Sequence, residues 1–402
     1  MDILTDIRVL SFNHFLLGPM GTQVLADLGA DVISIEPVGG AFQRHWGGAN
    51  HKVDGESMLH LCGNRNKKNL AIDIKDPAGH EIVQKLLETA DILSENFRPG
   101  VMEKLGFGYE TVKQINPKII YASASGFGQD GPYSKRPGQD LVIQALSGLA
   151  NLNGNKDQPP IPVGVSAADH HGAQILAMSI LAALYRREKT GKGTKVEVDL
   201  LSAALDLQNE SLVCYLNGAN HNQRPPKNIA GWYFPGPYGI YKATDGHIAI
   251  SLGPMPSLAK ALNTPELAGF GESETFSRKE EIADLVQSAI FNLDLASVEE
   301  KLEGQRLWYS RVNDYAAVLE DPQVQHNGSF PEITTDLGST LRLVAHPAKY
   351  DGVRPEVRLP PQPLGAQTAE ILDELGYNQK QILDLAERGV VHLVNIPENP
   401  GK

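Results

Sequence analysis

Cysteine is scarce in this 402-residue chain, which has only Cys62 and Cys214. They form no CxxC pair and no zinc-ligand spacing, so neither a disulfide framework nor a cysteine-based metal centre organises the fold. They read as two buried free thiols, with a single structural disulfide as the alternative. Positive charge is also in deficit: 36 Lys and Arg stand against 48 Asp and Glu, a formal net charge of -12. That balance disfavours a nucleic-acid partner. Long apolar runs are missing too. The longest helix-like one, Gly172 to Tyr185, is too short to span a bilayer and reads as a buried core helix. The N-terminal MDILTDIRVLSF starts with acids and has no cleavable apolar segment, so a cytoplasmic protein is expected. No HExxH, GxSxG or P-loop pattern occurs, and the loop after the first strand lacks GxGxxG, having only Gly18 and Gly21.

What is present is an alternation of strand and helix signals. Arg8 to Phe12 reads as a strand, Gly18-Pro19-Met20-Gly21 as a turn, Thr22 to Leu28 as a helix and Asp31 to Glu36 as a second strand. Leu70 to Ile74 is a third strand. Asp76-Pro77 then supplies an N-cap and a first helical residue, with Ile82, Val83, Leu86 and Leu87 at helical spacing. Further strands are expected at Asp91 to Ser94 and Ile119 to Ser123. Such alternation implies parallel pairing in a doubly wound α/β sheet. Past a Gly/Pro loop, a long helix runs from about Asp169 to Arg187. Residues 220–237, rich in Asn, Pro and Gly, read as a linker. A second region has strands near Tyr241 and Ile248 and helices near Lys279 and Leu295. Two short helices close the chain, stopped by Gly376 and Gly389.

Three features are candidates for chemistry. The first strand–turn–helix can present N–H groups to a phosphate, and Glu36 sits where dinucleotide folds hold a ribose; a plain βαβ unit explains both equally. Arg65, Lys67, Lys68, Lys75, Arg98, Lys104, Lys135 and Arg136 gather cations in one half, either as an anion site or as scattered surface charge. Asp169 opens the long helix, where a carboxylate is either a cap or a reactive group. The adjacent His170 and His171 point apart on a helix, and no metal site is expected.

Six segments in order carry a wider pattern. They are GPMGTQVLADLGADVISIEP (18–37), NRNKKNLAIDIK (64–75), ENFRPGVMEKLGF (95–107), GFGQDGPYSKRPGQD (126–140), REKTGKGTKVEVDL (187–200) and PPQPLGAQT (360–368). Together they resemble the class III CoA transferases of the CaiB/BaiF type. That family includes formyl-CoA:oxalate and carnitine CoA transferases and α-methylacyl-CoA racemases. The resemblance implies a large Rossmann-like domain with a parallel sheet built from both chain ends. It also implies a smaller α+β domain and an interlocked homodimer. The corresponding division is 1–217, a linker 218–238, a small domain 239–325 and a return at 326–402.

The resemblance places the nucleophile at Asp169, which would carry an acyl anhydride and then a CoA thioester. It implies CoA or substrate contacts at His14, Phe15, Leu16, Leu17, Ile72, Lys75, Asn96, Phe97, Arg98, Lys104, Arg136 and Gln139. CoA enters as a substrate, with no tightly bound cofactor; the partner is a small carboxylic acid, and no membrane or nucleic acid is implied. Gln139 stands where racemases have a histidine, and an amide cannot take a proton from carbon. Leu16 replaces a glutamine of the formyl-CoA:oxalate enzymes, and their glycine-run loop is missing; residues 228–232 lie nearby. A racemase and a non-catalytic acyl-CoA-binding protein are the alternatives.

Overall fold

The computed structural model describes residues 2–219 and 224–394. The chain divides into two compact units: residues 1–143, 166–207 and 326–402 form the first, and residues 144–165 and 208–325 the second.

The first unit begins with β1 (Arg8–Phe12), α1 (Leu17–Asp27), β2 (Asp31–Glu36), β3 (Lys67–Ile72), α2 (Pro77–Thr89), β4 (Ile92–Glu95) and β5 (Ile120–Ser125). It continues with α3 (Asp140–Leu146, which crosses into the second unit), α4 (Ala167–Thr190), β6 (Thr194–Asp199) and α5 (Leu200–Leu207). The strands alternate their side chains between two cores. Leu10, Phe12, Ile33, Ile35, Leu70, Ile72 and Leu93 face one helical layer, with Ile82, Val83, Leu86 and Leu87 of α2. Val9, Val32, Ile92, Ile120 and Ala122 face the other, with Leu25 of α1 and Leu176 and Ile180 of α4. A strand covered on both faces loses the polar alternation of a surface strand, so these read as apolar runs. At α2 the Asp76 side chain accepts the Ala78 N–H at 2.8 Å and Pro77 occupies the first turn, the start read from sequence.

The second unit has its own core. β7 (Gly239–Lys242), β8 (His247–Ile250) and β9 (Tyr309–Arg311) form an antiparallel sheet in the order β9-β8-β7. It packs with α6 (Met255–Leu262), α7 (Lys279–Ile290) and α8 (Leu295–Glu303) through Tyr241, Ile248, Leu258, Ile282, Val286 and Leu302. The segment read as a linker belongs to this unit rather than standing apart. Ile229 and Trp232 are buried, and Lys279 Nζ donates to the Trp232 and Phe234 carbonyls, at 2.5 and 3.4 Å. Residues 220–223 of that segment lie outside the described residues.

The chain then returns to the first unit through α9 (Thr368–Glu374), α10 (Gln379–Glu387) and β10 (Val391–His392). β10 pairs antiparallel with β3, so both chain ends contribute to one seven-stranded sheet, order β10-β3-β2-β1-β4-β5-β6, whose first six strands along the chain are parallel. After β1 the chain winds outward through β2 and β3, then crosses back to start β4 on the other side of β1. The reversal leaves a crevice between the loops that follow β1 and β4, the place where open α/β sheets bind ligands.

Two expectations need correction. α4 is not buried all round: Ala168, Gly172, Leu176 and Ile180 are buried, but Met178 and Tyr185 are 63% and 67% exposed. The two cysteines are free but not core thiols, since Cys62 is exposed and Cys214 half-buried. Among the described residues no helix is long and apolar enough to cross a membrane.

Candidate active site

A cavity of about 530 Å³ opens at the reversal point. Ten of the thirteen candidate residues line it: His14, Phe15, Leu16, Leu17, Asn96, Phe97, Arg98, Arg136, Gln139 and Asp169. Trp46, Leu59, Ser125 and Asp140 complete much of the wall.

Local chemistry explains how these loops are held. Asn13 Nδ2 donates to Ser11 Oγ at 2.9 Å and to Ser94 Oγ at 3.1 Å, tying the end of β1 to β4. One residue on, the His14 N–H donates to Asn96 Oδ1 and the His14 carbonyl accepts from Asn96 Nδ2, both at 2.8 Å. The two loops of the crevice are therefore joined by a reciprocal amide clamp. Phe97 stacks on the His14 ring with centroids 5.1 Å apart, and its N–H donates to Glu95 Oε2 at 2.9 Å. Phe15 sits at φ +57°, a left-handed conformation that costs a bulky residue energy and that these neighbours must hold.

α1 and α4 meet closely behind the cavity. A Cβ on Gly172 would come within 2.8 Å of Leu17 Cδ1, and one on Gly21 within 2.9 Å of Leu176 Cδ2. The two glycines thus bring the start of α1 against the start of α4, with the Leu17 N–H near enough to the Asp169 carboxyl to favour its charged form. Burial pushes the Asp169 carboxyl up to about 7, the charge of Asp140 adds to the rise, and the Leu17 N–H opposes it. His14 is held down at about 4 by burial and then by the Arg98 charge, so its ring is neutral near pH 7. Its Nδ1 is buried without a hydrogen-bond partner. Arg136 stacks over Tyr133, its guanidinium 4.2 Å from the ring centre. An electrophile entering here meets a poorly solvated carboxylate, N–H donors of a helix start and two guanidinium groups. That set suits attack on an acyl carbon whose leaving group carries negative charge.

The other candidates fall elsewhere. Lys75, on the loop after β3, and Lys104, at the end of a short helix (Val101–Lys104) after β4, are exposed on the same edge of the sheet but outside the cavity lining. Ile72 is corrected as a side-chain contact: it is 1% exposed in the core beneath α2. Three of the gathered cations are structural. Arg65 pairs with buried Asp27 through Nη2–Oδ2 at 2.6 Å, and Lys68 meets Glu370 at 2.9 Å. Lys67 is fully buried, its Nζ donating to the Pro19 and Gly63 carbonyls at 2.7 and 2.8 Å and to Asn64 Oδ1 at 3.0 Å. Glu36 is no ribose ligand either. Arg44 grips it from Nε and Nη2 at 2.7 and 2.8 Å, and although burial alone would raise its carboxyl, Arg44 holds it at about 2. His171 pairs with Asp206 at 2.8 Å, away from its exposed neighbour His170, and no metal-binding cluster occurs among the described residues.

Sequence reasoning passed over Asp140. It begins α3, lines the cavity, and its Oδ1 accepts the N–H groups of Ala168 at 2.7 Å and Asp169 at 3.2 Å. Only its place in the Gly-Gln-Asp run beside Gln139 pointed to it.

Comparison with known proteins decides the family. The family model described as "CoA-transferase family III" matches residues 4–368. The chain belongs to this family. It is 34% identical to the human succinyl-CoA:glutarate CoA-transferase, over 96% of this chain and 90% of that protein. It is 31% identical to succinyl-CoA–D-citramalate CoA-transferase of Chloroflexus aurantiacus, over 96% and 98%. The fold matches the crystal structure of a CaiB/BaiF family protein from Brucella suis with a TM-score of 0.80 at 28% identity, covering 92% of this chain and 98% of that one. The chain is thus an enzyme of the CoA-transferase type whose substrates are CoA thioesters.

Proposed function

We propose that this family III enzyme moves CoA from a succinyl-CoA-like donor to a small dicarboxylic acid, with Asp169 as the covalent nucleophile. The single observation that carries the reading is the Asp169 carboxylate at the back of the crevice, desolvated and facing the start of α1. The relatives named above act on succinyl-CoA with glutarate or citramalate, which supports a dicarboxylate acceptor. Arg98 and Arg136 in the cavity wall supply charge for the second carboxylate or for the CoA phosphates.

Asp169 attacks the thioester carbonyl carbon. The carbon–sulfur bond breaks, CoA leaves as thiolate, and an aspartyl-acyl anhydride forms. The thiolate attacks the aspartyl carbon and expels the donor acid, giving an aspartyl-CoA thioester. The acceptor carboxylate attacks that thioester to form a second anhydride and release thiolate. The thiolate then takes the acyl group and frees Asp169. Passing the acyl and CoA groups through links to one carboxylate turns one hard exchange into several easier ones. His14, Phe15, Leu16, Leu17, Asn96 and Phe97 would flank the thioester end of CoA, and Lys75 and Lys104 its phosphorylated end. The exposed Met178 and Tyr185 support the expected homodimer, where a partner would cover them.

The test is to incubate the protein with succinyl-CoA and no acceptor, then add hydroxylamine. A hydroxamate on Asp169, located by mass spectrometry, is expected. A protein that yields neither adduct nor free CoA with any of several donors is not a transferase of this mechanism. A panel of dicarboxylates with the same donor identifies the acceptor.

A further inference from the structure

Asp169 is the third residue of α4. An aspartate there ordinarily turns its carboxylate back onto the free N–H groups of the first turn. In this chain Asp140 already holds that place, through its contacts with the Ala168 and Asp169 N–H groups. Ser166, just before the helix, makes no side-chain cap. The loop before α3 is brought into position by two backbones in close contact: a Cβ on Gly126 would lie 2.8 Å from Gly138 Cα, and one on Gly138 2.7 Å from Gly126 Cα. Two carboxylates thus compete for one helix start.

We propose that Asp140 is a positioning residue for the transfer: it occupies the anion site at the start of α4 and so keeps the Asp169 carboxylate turned toward the acyl group. The inference rests on the reading of Asp169 as the nucleophile. A carboxylate bound by the N–H groups of its own helix would be a weaker base and nucleophile, because those bonds favour its charged resting state. Asp140 removes that resting state twice over, by filling the site and by placing a second negative charge beside it. The other charged or titratable groups around Asp169 act differently. His14 after β1 is neutral near pH 7, while Arg98 after β4 and Arg136 in the loop after β5 are cations of the cavity wall. On α4 itself, His170 is exposed and His171 is occupied by Asp206 of α5.

Two substitutions separate position from charge. Asp140→Asn keeps an oxygen for the Ala168 N–H but loses the charge. Its kcat should fall modestly, with KM for acyl-CoA within about twofold and the acid limb of kcat/KM moved down by about one pH unit. Asp140→Ala also opens the helix start to Asp169. Its kcat should fall about a hundredfold with KM little changed, as a misplaced reacting group does. Asn should therefore recover most of what Ala loses. A plain structural cap predicts otherwise: an acid limb in Asp140→Asn at the parent pH overturns the proposal, as does an equal kcat for Asn and Ala. If Asp140→Ala does not fold, the Asn acid limb alone decides. Carbodiimide labelling of Asp169 in substrate-free protein, read by mass spectrometry across pH, gives a readout apart from turnover. Its midpoint should move down in Asp140→Asn, and an unmoved midpoint counts against the proposal. Full activity of Asp169→Ala would instead defeat the nucleophile reading, whatever the labelling shows.

Discussion

The six parallel strands of the first unit run between two hollows of nearly equal size. The one at their C-terminal ends, about 530 Å³, holds Asp169. The one at their N-terminal ends, about 480 Å³, is lined by Glu88, Thr89, Asp91, Asn116, Lys118 and Arg187 among others. Volume does not separate them; the state of the charges does. In the N-terminal hollow Arg187 meets Asp91 at 2.9 Å, and Asn116 Nδ2 donates to the Leu87 and Ala90 carbonyls at 3.0 and 2.7 Å, so its polar groups finish off helix ends and strand starts. In the C-terminal hollow a carboxylate faces another carboxylate, and a ring nitrogen of His14 has no partner. A parallel sheet with right-handed crossovers puts helix starts, with their free N–H groups, at strand C-termini and helix ends at strand N-termini. Polar groups left unsatisfied at the first edge mark chemistry, and satisfied ones at the second mark structure.

The largest effect that tests this contrast is Asp169→Ala. Transfer should fall by about a thousandfold or more while acyl-CoA binding stays within about threefold, measured by steady-state rates and by equilibrium titration. Transfer above a few per cent of the parent rate would dissolve the distinction between the two hollows. Next comes pH. Asp169 attacks only as the carboxylate, and its carboxyl is raised to about 7, so kcat/KM should fall about tenfold per unit below that value. The same shift has a stability consequence of opposite sense. A raised carboxyl favours the folded state when protonated, so that stability is present at low pH and is lost as pH rises through about 7. Asp169→Ala should therefore raise the melting temperature at pH 8 by roughly 2–4 °C, with the gain fading by pH 5. An equal gain at both pH values would show that the carboxyl is not raised.

Much of this arrangement was legible in the sequence because it is local. The apolar runs, the Asp76-Pro77 start and the glycine stops each act within a few residues. The strand–helix alternation then fixes a parallel sheet, and the six-segment pattern places Asp169 on a helix start. What escaped is long-range. β10 is two residues long and pairs with β3 more than three hundred residues earlier, so no periodicity could announce it. Lys67 was open to reading as an anion ligand or as surface charge and is neither, because its three acceptors, on Pro19, Gly63 and Asn64, meet only in the fold. Glu36 was open to a ribose role or a plain βαβ strand end for the same reason, its partner Arg44 being fixed by tertiary packing. Asp140 carries no mark of its own in the sequence, because the Ala168 N–H that it holds at 2.7 Å lies 28 residues further on.

A smaller effect belongs to the lysines on the catalytic edge. Lys104→Ala and Lys75→Ala should each weaken acyl-CoA binding about tenfold and leave kcat nearly unchanged. A charge-assisted hydrogen bond to phosphate is worth roughly 1.5–3 kcal/mol, and exposure takes the value toward the lower end. Unchanged KM in both would place the phosphorylated end of CoA elsewhere.

The smallest effect on catalysis is expected at the N-terminal hollow, and it is the sharpest control. Arg187 Nη2 pairs with Asp91 Oδ1, and its side chain is only 11% exposed against 24% for the aspartate. Asp91 Oδ2 also accepts the Arg8 N–H at 2.8 Å, so Arg187→Ala does not leave the carboxylate bare. The loss is one part-buried ion pair and the packing of the arginine stem, about 1–2 kcal/mol. That should appear as a lower denaturation midpoint with an unchanged slope, since the unfolded surface is the same. Meanwhile kcat and KM should stay within about twofold of the parent, because no group of the catalytic edge touches Arg187. If Arg187→Ala instead weakened acyl-CoA binding as much as Lys104→Ala, the ligand would reach both ends of the strands. The division between a chemical edge and a structural edge would then fail.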